Sequence, residues 1–129
     1  MTWVHIVIVL ALLEYLVFGM LVGRARMKYA IAAPAVSGHS MFERYFRVHQ
    51  NTLEQMVIFI PAVLLFGRYL SPIGAAVLGV IYLLGRIVYA AGYIRAPEKR
   101  GPGAGLTFLA NTILVVGTLY GLIRALVVS

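Results

Sequence analysis

Residues 43–55, ERYFRVHQNTLEQ, carry a dense set of side chains that can bind charged or polar groups. Eight of these thirteen residues are charged, histidine or amide-bearing, and the apolar run MVIFIPAVLLFG follows directly with no turn signal between. On a helix, one stripe of about 100° collects Glu43, Arg47, Gln50, Asn51 and Glu54, while the opposite side takes Tyr45, His49, Thr52 and Met56. A solvated helix would scatter its charges, and an unpaired Glu at a membrane boundary is costly, so the stripe indicates a partner or a task.

A second polar stripe lies in the segment YLLGRIVYAAGYIRAP, residues 82–97. Tyr82, Arg86, Tyr89 and Tyr93 follow one another at helical spacing inside an otherwise apolar run. An Arg within such a run must face protein or water rather than lipid, so the two stripes predict one wet cavity between two helices. The alternative is an interfacial belt of Tyr side chains and a salt bridge from Arg86 to Glu54 or Glu14.

The elements that must position these residues are membrane spans. The chain has 129 residues, of which 62% are hydrophobic, and its mean hydropathy of +0.94 exceeds what a soluble domain of this size can bury. A span needs about 20 residues, and four apolar stretches are present: Trp3 to Val22, Leu53 to Tyr69, Ile73 to Ile94 and Ala104 to Val128. The second is long enough only if its helix continues backwards into the polar stripe. We therefore predict an all-α integral membrane protein, a bundle of four transmembrane helices in a single domain, residues 1–129.

Basic residues predict the orientation of this bundle. The first apolar run lacks the features of a cleaved signal peptide, so we expect a retained helix. Only Arg68 lies in the connection between the second and third spans, whereas the other two connections contain Arg24, Arg26, Lys28, Arg44, Arg47, Arg95, Lys99 and Arg100. The positive-inside tendency therefore places those two connections in the cytoplasm and both termini on the opposite side. Such a basic rim also attracts anionic lipid, and because the charges flank spans we expect no nucleic-acid partner.

The first stripe is also the centre of a family resemblance. FERYFRVHQNTLEQ, with its E-R-x-x-R-x-x-x-N-x-x-E pattern, resembles the signature of the MAPEG family, the membrane-associated proteins in eicosanoid and glutathione metabolism. GRARMK after the first span, GRIVYAAGY in the third and RAPEKR after it match in order, so the resemblance covers nearly the whole chain. It implies a four-helix protomer, a homotrimer, and glutathione bound between neighbouring subunits near the cytoplasmic side.

The resemblance also implies which residues hold glutathione. Position by position, these are Arg26 at the end of the first span, Arg47, Asn51 and Glu54 in the second, and Arg86, Tyr89 and Tyr93 in the third. Glutathione carries two carboxylates and one ammonium group, so several guanidinium groups and one Glu suit it chemically. Gln50 stands where prostaglandin-forming relatives carry a basic residue, which argues against that specific activity.

The residue that activates the thiol is expected at Lys99 or Arg100. The segment after Tyr93 is shorter than in several relatives, so either residue could correspond to the family's thiol-activating arginine. We favour Arg100, because a fixed positive charge stabilises a thiolate and Arg does not lose its charge as Lys can; Lys99 then contributes to binding. Tyr93 could instead donate a hydrogen bond to the sulfur. The chain has no Cys, so thiol chemistry requires an external thiol such as glutathione.

The resemblance therefore implies a membrane-bound glutathione transferase that attacks a lipophilic co-substrate entering from the bilayer; the same thiolate would support peroxidase activity on lipid hydroperoxides. Glutathione is the only cofactor expected, and no metal site is expected because the three His residues lack metal-ligand spacing. Glu14 leaves a different alternative open, a small multidrug-resistance-type transporter that exchanges protons at this carboxylate. Pairing of Glu14 with Asn111 or Thr107 within the bundle is the structural alternative. A further alternative function is that of a non-catalytic MAPEG member that binds lipid.

Overall fold

The computed structural model describes residues 1–129, which form four long helices. These are α1 (Thr2–Tyr29), α2 (Ser40–Tyr69), α3 (Pro72–Arg95) and α4 (Gly101–Val128), with a one-turn 3-10 helix, Pro97–Arg100, between α3 and α4. Each of the four is long and apolar enough to cross a membrane. The predicted all-α architecture with four candidate spans is confirmed.

Helix α2 joins the polar stripe to the apolar run without a break. Its 30 residues extend about 45 Å, well beyond the roughly 30 Å hydrocarbon core of a bilayer. The predicted backward continuation of this helix is therefore confirmed. At its start, His39 Nδ1 accepts a hydrogen bond from the Met41 amide at 3.1 Å, and the Glu43 carboxylate accepts one from the Gly38 amide at 3.2 Å.

Side-chain hydrogen bonds cap both ends of α3. Ser71 Oγ caps α3 by accepting a hydrogen bond from the Gly74 amide at 2.9 Å. At the other end, Arg44 of α2 donates to the carbonyl oxygens of Ile94 and Arg95 at 3.1 and 3.0 Å. Because these carbonyls lack helical partners, Arg44 both satisfies them and ties the polar part of α2 to the end of α3.

Proline residues set the two boundaries in this connection. Helix α3 ends two residues before Pro97, which begins the 3-10 turn, and Pro102 lies in the first turn of α4. Both positions are ones where the missing N–H and fixed φ of proline cost little. The turn that carries Arg100 is therefore short and bounded on both sides.

The apolar core lies in the half of the bundle away from the polar stripe of α2. Val4, Val7, Phe59, Val63 and Leu114 are among its fully or nearly fully buried members. Tyr82 stacks on Phe59 with ring centroids 3.9 Å apart. This corrects the expectation that Tyr82 faces a wet cavity with the rest of its stripe: at its level α2 and α3 pack without a gap.

The outer surface of the bundle is itself apolar. Trp3, Ile73 and Phe108 are each 70–74% exposed, and many more Leu, Ile and Val side chains point outward. An aqueous solvent would disfavour such a surface, whereas lipid tails do not. The helices therefore present the bilayer with the apolar faces it requires and keep polar side chains between them.

Candidate active site

Arg86 is the most deeply buried charge of the molecule and anchors the polar region of the bundle. It is only 2% exposed, and its guanidinium donates to Thr52 Oγ1 of α2 at 3.0 Å and to Thr107 Oγ1 of α4 at 3.4 Å. Its Cζ lies 4.2 Å from the ring centroid of Tyr89, within cation–π range. Arg86 thus faces protein rather than lipid, and it makes no salt bridge with Glu54, which is exposed.

Arg86 forms the floor of a cleft between α2, α3 and α4. This Arg86 cleft has a volume of about 350 Å³ and is lined by Asn51, Gln55, Arg86, Tyr89, Arg100, Ala104, Thr107 and Phe108. Within it, the Asn51 side-chain amide donates a short hydrogen bond to the Tyr89 hydroxyl. Members of both predicted stripes therefore meet in one polar cleft, whose apolar wall is formed by α4.

A second cleft continues the first towards the end of α3. This Arg47 cleft has a volume of about 230 Å³ and is lined by Ser40, Glu43, Arg44, Arg47, Tyr93 and Pro97. Arg47 precedes Asn51 by four residues and Tyr93 follows Tyr89 by four, so each helix contributes to the two clefts at positions about one turn apart. The rings of Tyr89 and Tyr93 are 5.6 Å apart, so the two clefts lie side by side, and we refer to them together as the groove.

The two basic residues after α3 occupy different places. Arg100 lines the Arg86 cleft, its Nη1 donates to the Pro97 carbonyl at 2.8 Å, and its Cζ lies 6.0 Å from the centre of the Tyr93 ring. Lys99 lines neither cleft, and its backbone carbonyl packs against Gly92 of α3. Of the two candidates for thiol activation, only Arg100 is adjacent to the polar cleft.

Besides Lys99, two further predicted binding residues lie outside both clefts in the single protomer. Arg26 donates to the Ala35 carbonyl at 2.7 Å and to the Ile31 carbonyl at 3.5 Å, and packs over the Phe42 ring at 4.9 Å. Its guanidinium thus organises the connection between α1 and α2. Glu54 is exposed on the outer face of α2. One chain therefore gathers Arg47, Asn51, Arg86, Tyr89, Tyr93 and Arg100, but not Arg26, Glu54 or Lys99.

Comparison with known proteins identifies the family of this groove-bearing bundle. Residues 4–120 match the model of the MAPEG family. The chain belongs to the MAPEG family. With four helices able to cross a bilayer, this membership makes it an integral, multi-pass membrane protein.

Relatives of this MAPEG chain include proteins named microsomal glutathione S-transferase 2 and leukotriene C4 synthase. The chain is 43% identical over 104 residues to microsomal glutathione S-transferase 2 of Mus musculus, covering 81% of this chain and 71% of that protein. It is 32% identical over 83 residues to leukotriene C4 synthase of Cavia porcellus, covering 64% and 55%. An uncharacterised protein of Synechocystis sp. is 48% identical over 121 residues, covering 94% and 88%.

Two polar residues that line the Arg86 cleft of this MAPEG chain, Gln55 and Thr107, were not among the binding residues predicted from the sequence. The Gln55 side-chain oxygen accepts a hydrogen bond from the Asn111 amide at 3.0 Å, and Thr107 accepts one from Arg86. A signal for α4 was available: Gly103, Thr107 and Asn111 are spaced by four and form a small or polar stripe in an apolar helix. Such stripes mark helix–helix contacts in membranes.

Glu14 does not make the bundle contacts expected for it. Asn111 donates to Gln55, and the Thr107 hydroxyl donates to the Gly103 carbonyl at 3.0 Å, so the predicted pairing of Glu14 with either residue is wrong. The reason is that the Thr107 hydroxyl and the Asn111 amide nitrogen already donate to α4 and α2; the Asn111 Oδ1 atom is buried without a partner. The Oε1 atom of Glu14 is buried without a hydrogen-bond partner. The match of residues 4–120 to the MAPEG family also removes the basis for a transporter assignment.

Proposed function

We propose that this MAPEG protein is a membrane-bound glutathione transferase, which activates the glutathione thiol for attack on a lipophilic electrophile. The observation that carries the proposal is the pair of neighbouring clefts, one lined by Arg86, Arg100 and Tyr89 and the other by Arg47 and Tyr93. Glutathione offers two carboxylates, an ammonium group and a thiol. Three guanidinium groups with nearby amide and hydroxyl groups are the complement of such a peptide.

Binding is assigned to both clefts. Arg47 receives one carboxylate of glutathione in the Arg47 cleft, where Glu43 offers a negative charge for the ammonium group. Arg86, supported by Thr52 and Thr107, receives the other carboxylate at the floor of the Arg86 cleft. This arrangement leaves the thiol at the mouth of the groove, between Tyr93 and Arg100.

The chemical step uses the fixed charge of Arg100. Its guanidinium stabilises the thiolate over the thiol, the thiol proton leaves to water, and the Tyr93 hydroxyl orients the sulfur by a hydrogen bond. The thiolate then attacks an electrophilic carbon: a carbon–sulfur bond forms and the leaving group departs with its electron pair. Holding both reactants in one groove makes the encounter effectively intramolecular.

The lipophilic co-substrate enters from the bilayer. Phe108 and Ala104 form the apolar wall of the Arg86 cleft, and Phe108 is 73% exposed on the lipid-facing side of α4. An apolar electrophile dissolved in lipid can therefore reach the groove without crossing water, whereas glutathione enters from the cytoplasmic side predicted by the basic connections. Glutathione is a co-substrate here, not a resident cofactor.

A homotrimer completes the site in this proposal. Glu54 and Gln50 are exposed on the outer face of α2, at a depth where a lipid-facing charge is costly. A neighbouring subunit on this face would cover them, and the end of its α1 would bring Arg26 towards the groove.

The decisive experiment assays the purified protein in detergent with glutathione and a generic aryl halide. We expect conjugate formation that saturates with glutathione, and calorimetry should detect glutathione binding. Arg124→Ala, which removes an exposed guanidinium at the opposite end of α4 from Arg100, should behave as the unmodified protein. A protein that neither binds nor conjugates glutathione would refute the proposal.

The companion peroxidase activity is tested in the same way, with a lipid hydroperoxide in place of the aryl halide and with oxidised glutathione as the measured product.

A further inference from the structure

Glu14 is a carboxylate that the proposed mechanism does not use. It lies in the middle of α1, in a run that is otherwise apolar from Trp3 to Val22. Its Oε1 atom is buried and has no hydrogen-bond partner. A carboxylate in such a place is costly unless an opposite charge is near it, so its surroundings indicate its role.

The register of α1 against α3 brings Glu14 to the level of Arg86. Gly79 of α3 packs directly against Val7 of α1. Glu14 follows Val7 by seven residues and Arg86 follows Gly79 by seven, which is about two turns in each helix. Because α1 and α3 run in the same direction, separated in the chain by α2 alone, the two side chains face each other across this contact.

Two further orphan atoms lie at this level. Arg86 Nε and the Tyr82 hydroxyl are buried and, like Glu14 Oε1, have no hydrogen-bond partner. Glu14 is the one carboxylate close enough to Arg86 for a charge–charge interaction, although the two side chains form no direct salt bridge within 4.0 Å. On the α2 side, the Thr52 hydroxyl accepts a hydrogen bond from Arg86.

We propose that Glu14 is a positioning residue for the glutathione site, acting as the buried counter-charge that holds the Arg86 guanidinium at the floor of the cleft. The inference rests on the proposed function, in which Arg86 receives a glutathione carboxylate. The Nη atoms of Arg86 donate to the Thr52 and Thr107 hydroxyls, whereas its Nε atom is buried without a partner. Glu14 therefore compensates a charge that these neutral hydroxyls do not.

Removal of the Glu14 charge should move the Arg86 guanidinium in a defined direction. Without Glu14, a guanidinium that is 2% exposed keeps only neutral hydroxyls and an aromatic ring as partners. It then turns towards the water of the cleft, because an uncompensated buried charge is unfavourable. This movement displaces Tyr89, which lies beneath the guanidinium and is hydrogen-bonded to Asn51, and so disturbs the surface that binds glutathione.

The test compares Glu14→Gln, which keeps the side-chain shape and removes the charge, with Glu14→Asp, which keeps the charge. Calorimetric titration of glutathione should show a dissociation constant raised about 10-fold in Glu14→Gln, comparable to the loss of one charge-assisted contact, and substantially recovered in Glu14→Asp. Turnover at saturating glutathione should change little, because Arg100 and not Arg86 stabilises the thiolate. Glu98→Gln, an exposed carboxylate that lines neither cleft, is the matched control and should bind normally.

A double-variant cycle assigns the effect to Arg86. Arg86→Gln should weaken glutathione binding more than Glu14→Gln, and the double variant should bind no more weakly than Arg86→Gln alone, because Glu14 acts through Arg86. Equal or tighter glutathione binding by Glu14→Gln would overturn the positioning role while leaving the transferase proposal intact. Additive losses in the double variant would overturn it as well.

The stability of the same variants separates this inference from the proposed function. Arg86→Gln strands the Glu14 carboxylate and should lower the Tm, and adding Glu14→Gln should raise it again. If the unmodified protein failed to bind glutathione, the proposed function and the role of Glu14 in it would both fall, whereas the pairing itself would still be judged by this Tm cycle. Additive decreases in Tm would overturn the pairing.

Discussion

At the scale of single residues, the clearest division is between Lys99 and Arg100. The two are adjacent in the chain, yet only Arg100 lines the Arg86 cleft and lies near Tyr93. The sequence narrows the thiol-activating charge to these two positions through the family resemblance, but it cannot decide between them. The decision depends on the 3-10 turn, whose geometry determines which of two neighbouring side chains points inward.

Substitution of this charge should separate binding from chemistry. In Arg100→Ala we expect nearly unchanged glutathione affinity, a higher apparent pKa of the bound thiol, and turnover lowered roughly 10²-fold or more, the scale for removing one positioned charge. Ultraviolet absorption of the bound thiolate as a function of pH measures the effect. Lys99→Ala is the control and should leave the thiolate signal unaltered; a normal signal in Arg100→Ala with loss in Lys99→Ala or Tyr93→Phe would move the role to that residue.

The polar stripe of α2 gives a second residue-scale prediction, for glutathione affinity. Arg47→Ala and Glu43→Ala should each weaken binding by about 2 kcal/mol, because truncation of one partner strands the opposite charge of the ligand. Asn51→Ala should cost about 1 kcal/mol, since it loses a neutral hydrogen bond. Calorimetry on the three variants measures these losses, and unaltered affinity in all three would mean that the stripe has a purely structural role.

At the scale of elements, the close approach of α3 and α4 shapes the Arg86 cleft. A Cβ atom at Gly103 would collide with the backbone of Tyr89, whereas one at Gly105 would meet nothing. Both residues belong to the first turns of α4, so they form a matched pair. The contact sets the distance between Tyr89 on one wall and Thr107 on the other.

We therefore expect opposite effects from the same substitution at the two glycines. Gly103→Ala should force α3 and α4 apart and destabilise the protein by about 1–3 kcal/mol, the usual cost of overpacking, and should weaken glutathione binding. Gly105→Ala should be neutral or stabilising by up to about 1 kcal/mol, because Ala favours helix. Thermal unfolding in detergent measures both, and equal Tm values for the two variants would contradict the proposed packing.

The extent and the boundaries of the helices were largely predictable from the sequence. The backward continuation of α2 follows from span length, and the boundaries at Pro97 and Pro102 follow from proline chemistry. The sequence did not predict the hydrogen-bond partners of Arg86, because Thr52 lies on the side of α2 opposite the polar stripe and Thr107 belongs to α4. Helical periodicity tells which residues share a face, but the rotation of one helix against another is set by packing.

At the scale of the whole molecule, the exposed polar face of α2 predicts assembly. In detergent, native mass measurement should give three times the 14.1 kDa of the chain, since burial of Gln50 and Glu54 against neighbours removes them from lipid. Glu54→Leu, which makes this face compatible with lipid, should favour smaller species. A monomer or a dimer of the unmodified protein would contradict the trimer and leave Arg26 without access to the groove.

The sequence predicts less about the assembly of the whole molecule than about its residues and helices. Hydropathy and basic residues predict the number of spans and their orientation, and the family resemblance supplies the trimer. No pattern in the chain alone states how many copies meet, because a stripe of small or polar residues marks a helix–helix contact without indicating whether the partner helix belongs to the same chain. Arg26 illustrates the difference: in one protomer it organises residues 31–35, and its proposed second role requires a neighbour.

The short 3-10 turn before α4 has a thermodynamic consequence. Its Lys99 amide donates to the Ala96 carbonyl at 2.8 Å, and the Arg100 guanidinium is held by the Pro97 carbonyl. The conformational entropy of this segment is therefore lost when the chain folds, so little of it remains to be lost when glutathione binds. We expect the Lys99 amide to exchange slowly with deuterium already in the free protein and to change little on glutathione binding; rapid exchange that slows on binding would instead identify the turn as a segment that closes over the ligand.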